Sequence, residues 1–241
     1  MSHELCSTAL DEAFCQIQGL TWAPWVGKNF LARPANRRLL VVGESHYVKP
    51  VEPAQLDTLM ADHLKYREYT RDIVSECLID QDWPNRTLDN VPRLLFQTDD
   101  LDRPRLWSDT AFYNFVQTPM HYNREAGPER PSEEQFRAGW PIFLDLLRML
   151  QPSHCLFIGV EAFCTFNSVL PTLGREFTPM QWTEQVGRTY GRKAAVKVED
   201  KEITLIGVQH LGKYFSWSNW HSYLVKQHPD LMEFLAEEAY S

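Results

Sequence analysis

The sequence predicts an α/β protein, a doubly wound, mostly parallel four-stranded central sheet with helices on both faces. Three observations carry that expectation. Four short and mostly apolar runs, at 39–42, 111–116, 155–159 and 203–208, suit strands covered on both sides, as in a parallel sheet between helices. Segments of helical character lie between them, the alternation expected of βα winding. At 241 residues the chain suits one well-buried core and a single domain, 1–241.

Taken in order, the first run is Leu39-Leu40-Val41-Val42, which breaks at Gly43-Glu44-Ser45-His46-Tyr47. Residues 53–77 read as one long helix or two broken ones. Residues 80–108 hold three prolines and many charges and read as a long surface excursion, a kind of loop that is often functional. After the second strand, Ser132 and Gln135 stand at capping-box spacing and open a helix over 132–150. Its Phe136, Trp140, Phe143, Leu147 and Leu150 step by four, three, four and three along one face. Pro141 should kink or restart that helix. Helices at 161–170, 218–225 and 230–240 complete the set. Residues 181–186 and 194–198, bridged by Arg188-Thr189-Tyr190-Gly191, read as a hairpin or an edge.

Composition narrows the function. Hydrophobic residues at 44% and charged residues at 23% are ordinary for a globular chain. A net charge of −8 argues against a surface coated in cations for bulk nucleic-acid binding, while leaving room for a small footprint with local cations. No apolar run approaches the ~18 residues of a membrane span. The start, Met1-Ser2-His3-Glu4, lacks the basic and apolar regions of a signal peptide, so a cytoplasmic monomer is the expectation. Cysteines at 6, 15, 77, 155 and 164 include no C-x-x-C pair, which favours free thiols over a zinc or iron–sulfur site. Eight tryptophans supply either core or stacking surface.

In open α/β sheets ligands bind beyond the carboxyl ends of the strands. The first strand ends in Gly43, Glu44, Ser45, His46 and Tyr47. The second ends near Asn114, with Gln117 beyond, and the third at Gly159 and Glu161. The fourth leads into Gln209, His210, Gly212, Lys213, Tyr214 and Phe215. A carboxylate, an amide, an imidazole and aromatic rings therefore fall on one edge of the predicted sheet. Gly43 reads either as a tight turn or as a close approach to a ligand.

These landmarks, in this order over about residues 38–225, resemble the uracil-DNA glycosylase superfamily. Gly43-Glu44-Ser45-His46-Tyr47 is similar to its G-Q-D-P-Y-H and G-E-A-P-G motifs. "TAFYNFVQTP" places Asn114 where the family has a base-reading Asn, and "NREAGPERPSEEQF" and "LQPSHCLFIGVEAF" resemble the passage from R-x-P through a helix to a strand. "ITLIGVQHLGKYFSWS" puts His210 at the histidine of the H-P-S motif. The resemblance implies a three-layer sandwich and a DNA partner, and hydrolysis of the N-glycosidic bond of a flipped-out base. In that reaction His210 stabilises the departing base and Asn114 reads its Watson–Crick edge. Tyr47, Tyr66, Tyr69 or Phe112 stack it, and Lys213 and Tyr214 hold DNA, with Arg71 and Arg124 as further cations.

The departures shape the expectation. The family's water-positioning Asp is Ser45 here, so Glu44 becomes the catalytic acid and Ser45 a pocket hydroxyl, and no Cys occupies the positions that hold an iron–sulfur cluster in the G-E-A-P-G branch. No cofactor or metal is expected. Residues 53–77, with His63, Lys65, Tyr66, Arg67 and Arg71, read either as a solvated helix face or as the wall of an enlarged pocket. By analogy with superfamily members acting on bulky bases, a hydroxymethylated or glucosylated cytosine of phage DNA is the favoured substrate. Ordinary uracil excision and a non-catalytic DNA- or nucleotide-binding module are the alternatives. An SGNH-like esterase, with Ser45 as nucleophile and His221 as base, is disfavoured because Tyr47 occupies the last Gly of G-x-S-x-G.

Overall fold

Leu39–Gly43 (β2) is the third strand of a seven-stranded mixed sheet of order β1-β4-β2-β7-β10-β9-β8 in the computed structural model, which describes residues 2–50, 52–123, 125–212, 214–238 and 240. The strands of that sheet are Trp25–Val26 (β1), β2, Ala111–Asn114 (β4), His154–Phe157 (β7), Phe177–Val186 (β8), Thr189–Val198 (β9) and Lys201–Gly207 (β10). Tyr47–Val48 (β3), Met120–Asn123 (β5) and Gly127–Pro128 (β6) form a second, three-stranded sheet. The four expected strands are the neighbours β4, β2, β7 and β10, all paired in parallel. The sheet is wider than the expected four because β1 adds antiparallel to β4, and the β9–β8 hairpin adds antiparallel to β10.

Alternation along the strands divides the core in two, since successive side chains leave a strand on opposite faces. Leu40, Val42, Tyr113, Cys155, Phe157 and Leu205 pack on one face. Glu133–Leu150 (α6) and Phe163–Val169 (α7) cover it. Leu39, Val41, Phe112, Leu156, Ile158 and Ile206 fill the other face. There Arg86–Phe96 (α4), Arg103–Asp109 (α5), Trp217–Gln227 (α8) and Pro229–Glu237 (α9) pack against them. Helices on both faces make three layers. Asp11–Phe14 (α1), Leu56–Lys65 (α2) and Tyr69–Asp72 (α3) are the remaining α-helices among the described residues.

Ser132 caps α6 in the expected capping box, but the helix runs through Pro141 rather than restarting. Residues 53–77 break as α2 and α3, the second continuing into a π-helix at Ile73–Ile79. The excursion expected over 80–108 is corrected: it holds α4 and α5. Asn85 Oδ1 accepts from Thr87 N and Leu88 N to cap α4, and Asp102 caps α5. Leu88, Val91, Leu94 and Leu95 are the buried stripe of α4. The hairpin strands are also longer than expected, because the turn is the two-residue Gly187-Arg188 with Gly187 at φ 63°. Five of the eight tryptophans, Trp22, Trp25, Trp107, Trp140 and Trp220, are wholly buried core. All five cysteines are free. Among the described residues no helix is long and apolar enough to cross a membrane.

Candidate functional site

The ends of β2 and β4 stay tied beyond the regular ladder. Phe115 N donates to Gly43 O, Val116 N to Glu44 O and Met120 N to His46 O, at 2.8–2.9 Å. Those bonds hold Glu44, Ser45 and His46 in one conformation as the chain leaves the main sheet for β3. Register then matters: Gly43 pairs with Asn114. A Cβ at residue 43 would collide with Asn114 Oδ1 and stand 3.1 Å from Phe112 Cζ. Gly43 is therefore glycine because the Asn114 side chain lies across it.

Beyond these ends opens a cavity of about 590 Å³. Glu44, Ser45, Tyr47, Phe112, Asn114 and His210 all line it, so six of the expected site residues share one space. His63 and Tyr69 line it as well, so part of the helical stretch is pocket wall, while Lys65, Tyr66, Arg67 and Arg71 are not part of the lining. Asn114 is buried, and its Nδ2 lies 3.0 Å from the ring nitrogens of the equally buried His46.

Two of the expected residues lie elsewhere. Arg71 is corrected from a DNA contact to an internal clamp. Its guanidinium is buried, pairs with Asp11 and Glu68, and donates to Pro24 O, leaving it engaged away from solvent. Tyr66 is corrected from a base-stacking ring: it is not part of the cavity wall, and its hydroxyl donates to Asp72 Oδ2 from an exposed position. Gln117 is also structural, with Oε1 accepting from Thr21 N and Trp22 N while Nε2 donates to Asn114 O. Tyr214 is 82% exposed. Lys213 and Arg124 lie outside the described residues.

The wall also contains residues that the strand-end reading missed. Lys49, Tyr122 and Arg130 arrive through the small sheet and the chain beyond β6, while Glu76, Trp83, Asn85 and Thr87 come from 80–108 and the π-helix before it. A surface-loop reading of that segment concealed them. The sequence signal that could have found them is Asn85-x-Thr87-Leu88, a helix start facing the site.

Electrostatics are set mainly by burial. Desolvation pushes the Glu44 carboxyl above its ordinary range; Arg130 opposes the shift and Glu161 adds to it. Desolvation, helped by Arg130, lowers His210, so its imidazole is neutral at neutral pH. His46 is lowered to about 3 by burial and by His63. Burial raises the Tyr47 phenol. The site thus combines a carboxylate of raised basicity, a neutral imidazole and an amide.

Ser45 Oγ is buried beside the Tyr47 hydroxyl and, among the described residues, makes no hydrogen bond of normal geometry. His221 Nδ1 instead bonds Leu94 O at 2.9 Å, and His221 does not line the cavity. The arrangement needed for an activated serine is therefore not assembled. Among the described residues no cluster of three or more His, Cys, Asp or Glu could hold a metal ion. Compared with known proteins, the chain matches no family model and no curated protein.

Proposed function

We propose that the cavity receives a pyrimidine swung out of DNA and that the protein is a DNA glycosylase resembling the uracil-DNA glycosylase superfamily. The observation that carries this reading is the convergence of Glu44, Asn114 and His210, from three separate strand ends, on one cavity. Glu44 takes a proton from water as its oxygen attacks the sugar C1′. The N1–C1′ bond breaks with its electron pair going to the base, and negative charge develops on the base oxygen. A neutral His210 donates a hydrogen bond to that oxygen, a contribution of about 3–4 kcal/mol for a well-placed donor. Asn114 pairs with the Watson–Crick edge, and Tyr47, Tyr69 and Phe112 offer ring surface. Lys49 and Arg130 supply local positive charge in a chain of net charge −8.

The favoured substrate is a modified cytosine, hydroxymethylated or glucosylated, rather than uracil. The cavity volume lies within the roughly 300–1,000 Å³ range of ligand pockets and exceeds a bare pyrimidine ring several-fold. Glu76, Trp83, Asn85 and Thr87 offer polar and aromatic surface for a substituent. Such bases occur in phage DNA, which gives the activity a role in antiviral defence.

The test is incubation with single- and double-stranded DNA carrying uracil, hypoxanthine, hydroxymethylcytosine or its glucosylated form, followed by detection of abasic sites. Cleavage at a modified cytosine is expected. Cleavage at uracil alone would move the protein to repair, and binding without any abasic product would make it a non-catalytic module.

A further inference from the structure

Asn114 can read a base only if its amide is held one way round, because rotation by 180° exchanges donor and acceptor. Two neighbours constrain it. On one side Oδ1 lies against Gly43, where a Cα–H suits an oxygen better than an NH2 group. On the other side Nδ2 lies 3.0 Å from both nitrogens of His46, and His46 Nε2 is 2.8 Å from Thr70 Oγ1. Equal distances place Nδ2 over the face of the ring rather than in the plane of either lone pair, and the face of a neutral imidazole attracts an N–H and repels a carbonyl oxygen. Both neighbours select the same direction.

We propose that His46, oriented by Thr70, is a positioning residue that fixes the direction of the Asn114 amide and so decides which pyrimidine edge the site accepts. This rests on the reading of Asn114 as the base-pairing residue. The surroundings hold the ring itself still. Trp22 and Tyr69 meet it edge-on, with centroids at 4.8 and 4.7 Å. Thr70 is buried on α3. The neighbouring Arg71 clamps that helix to Asp11, Glu68 and the Pro24 carbonyl. Burial keeps His46 uncharged, so its face stays attractive to the amide N–H across the neutral range.

Two measurements test it. Long-range proton–nitrogen correlation spectra of the 15N-labelled free protein should show His46 as a neutral ring, with an Asn114 side-chain amide pair shifted upfield by that ring. His46→Leu should speed solvent exchange of that pair about tenfold or more. A protonated ring, or an unchanged amide pair in His46→Leu, would overturn the proposal whatever the activity proves to be. The second measurement is the ratio of kcat/KM for hydroxymethylcytosine and hydroxymethyluracil in the same DNA, two bases that share a substituent and differ in the edge. His46→Leu and the milder Thr70→Val should each shrink that ratio about tenfold or more. An unchanged ratio in both variants would overturn the specificity role. Should the unmodified protein cleave neither base, the hydroxymethylated-base reading fails, while the spectra still decide how the amide is oriented.

Discussion

Glu44 and His210 face each other's task with opposite electrostatic needs. To accept a proton Glu44 must be ionised, yet burial favours its neutral form and lifts its pKa above the ordinary carboxylate range. His210 must be neutral to donate without adding charge, and burial together with Arg130 keeps it so. Activity should therefore rise with pH through the raised pKa of Glu44 and then level. In single-turnover assays Glu44→Gln should lower the rate about 10²–10⁴-fold and abolish the acid limb. His210→Ala should cost about 10²–10³-fold and leave a Glu44-dependent limb in place. A limb that survives unchanged in Glu44→Gln would assign the base to another group. The sequence placed these two residues at strand ends because each follows a short apolar run, while their roles came from the family resemblance.

At the scale of elements, the contact of β2 with β4 through Gly43 is the most exposed to test. Gly43→Ala sets a methyl into Asn114 Oδ1 and crowds Phe112. Overpacking of this kind costs about 1–3 kcal/mol of stability, so the fold should persist and its unfolding midpoint should fall modestly. The amide, however, must move, and base cleavage should fall as far as in Asn114→Ala. Equal, small losses of stability and of activity would show that the amide tolerates displacement. The four parallel strands and α6 were legible because each has one dominant signal, a bare apolar run or a capping box. The helices at 86–96 and 103–109 were not: Pro92 sits inside one and Pro104 in the first turn of the other, so breaker residues masked a buried stripe. Tyr66 and Arg71 were misjudged for a related reason. The helix stops at Lys65 and restarts at Tyr69, which turns Tyr69 toward the cavity while Tyr66 faces outward and Arg71 points into the protein. Residues that share a stretch of sequence need not share a face once a helix is broken.

For the molecule as a whole, two buried histidines predict acid sensitivity that is separate from catalysis. His46 titrates at about 3, from burial and the nearby His63, and His228 at about 4, from burial and Lys193, against an ordinary 6.5. Both shifts run downward, so the unfolded chain binds protons that the native one refuses. Stability is thus highest above about pH 6.5 and is lost progressively as pH falls through the window down to about 4. When both groups contribute fully the slope approaches about 2.7 kcal/mol per pH unit, large beside the 5–15 kcal/mol that typically holds a domain together. Urea unfolding followed at pH 7, 6 and 5 should show a midpoint that falls steadily with little change in slope. His46→Phe removes one of these protons and should flatten the trend, with His228 and the similarly lowered His210 carrying what remains, even if its midpoint at pH 7 is lower. A midpoint independent of pH over that range would mean that neither ring is held neutral. That result would also undermine the proposed hold on Asn114, since a protonated His46 repels the amide N–H that its face is to keep in place. The catalytic acid limb and the unfolding transition lie close enough that rates must be read where the native fraction has been measured, and the two responses part in the variants. Glu44→Gln should remove the first and steepen the second slightly, because a raised carboxyl pKa opposes the histidine term, while His46→Phe should weaken the second and leave the first.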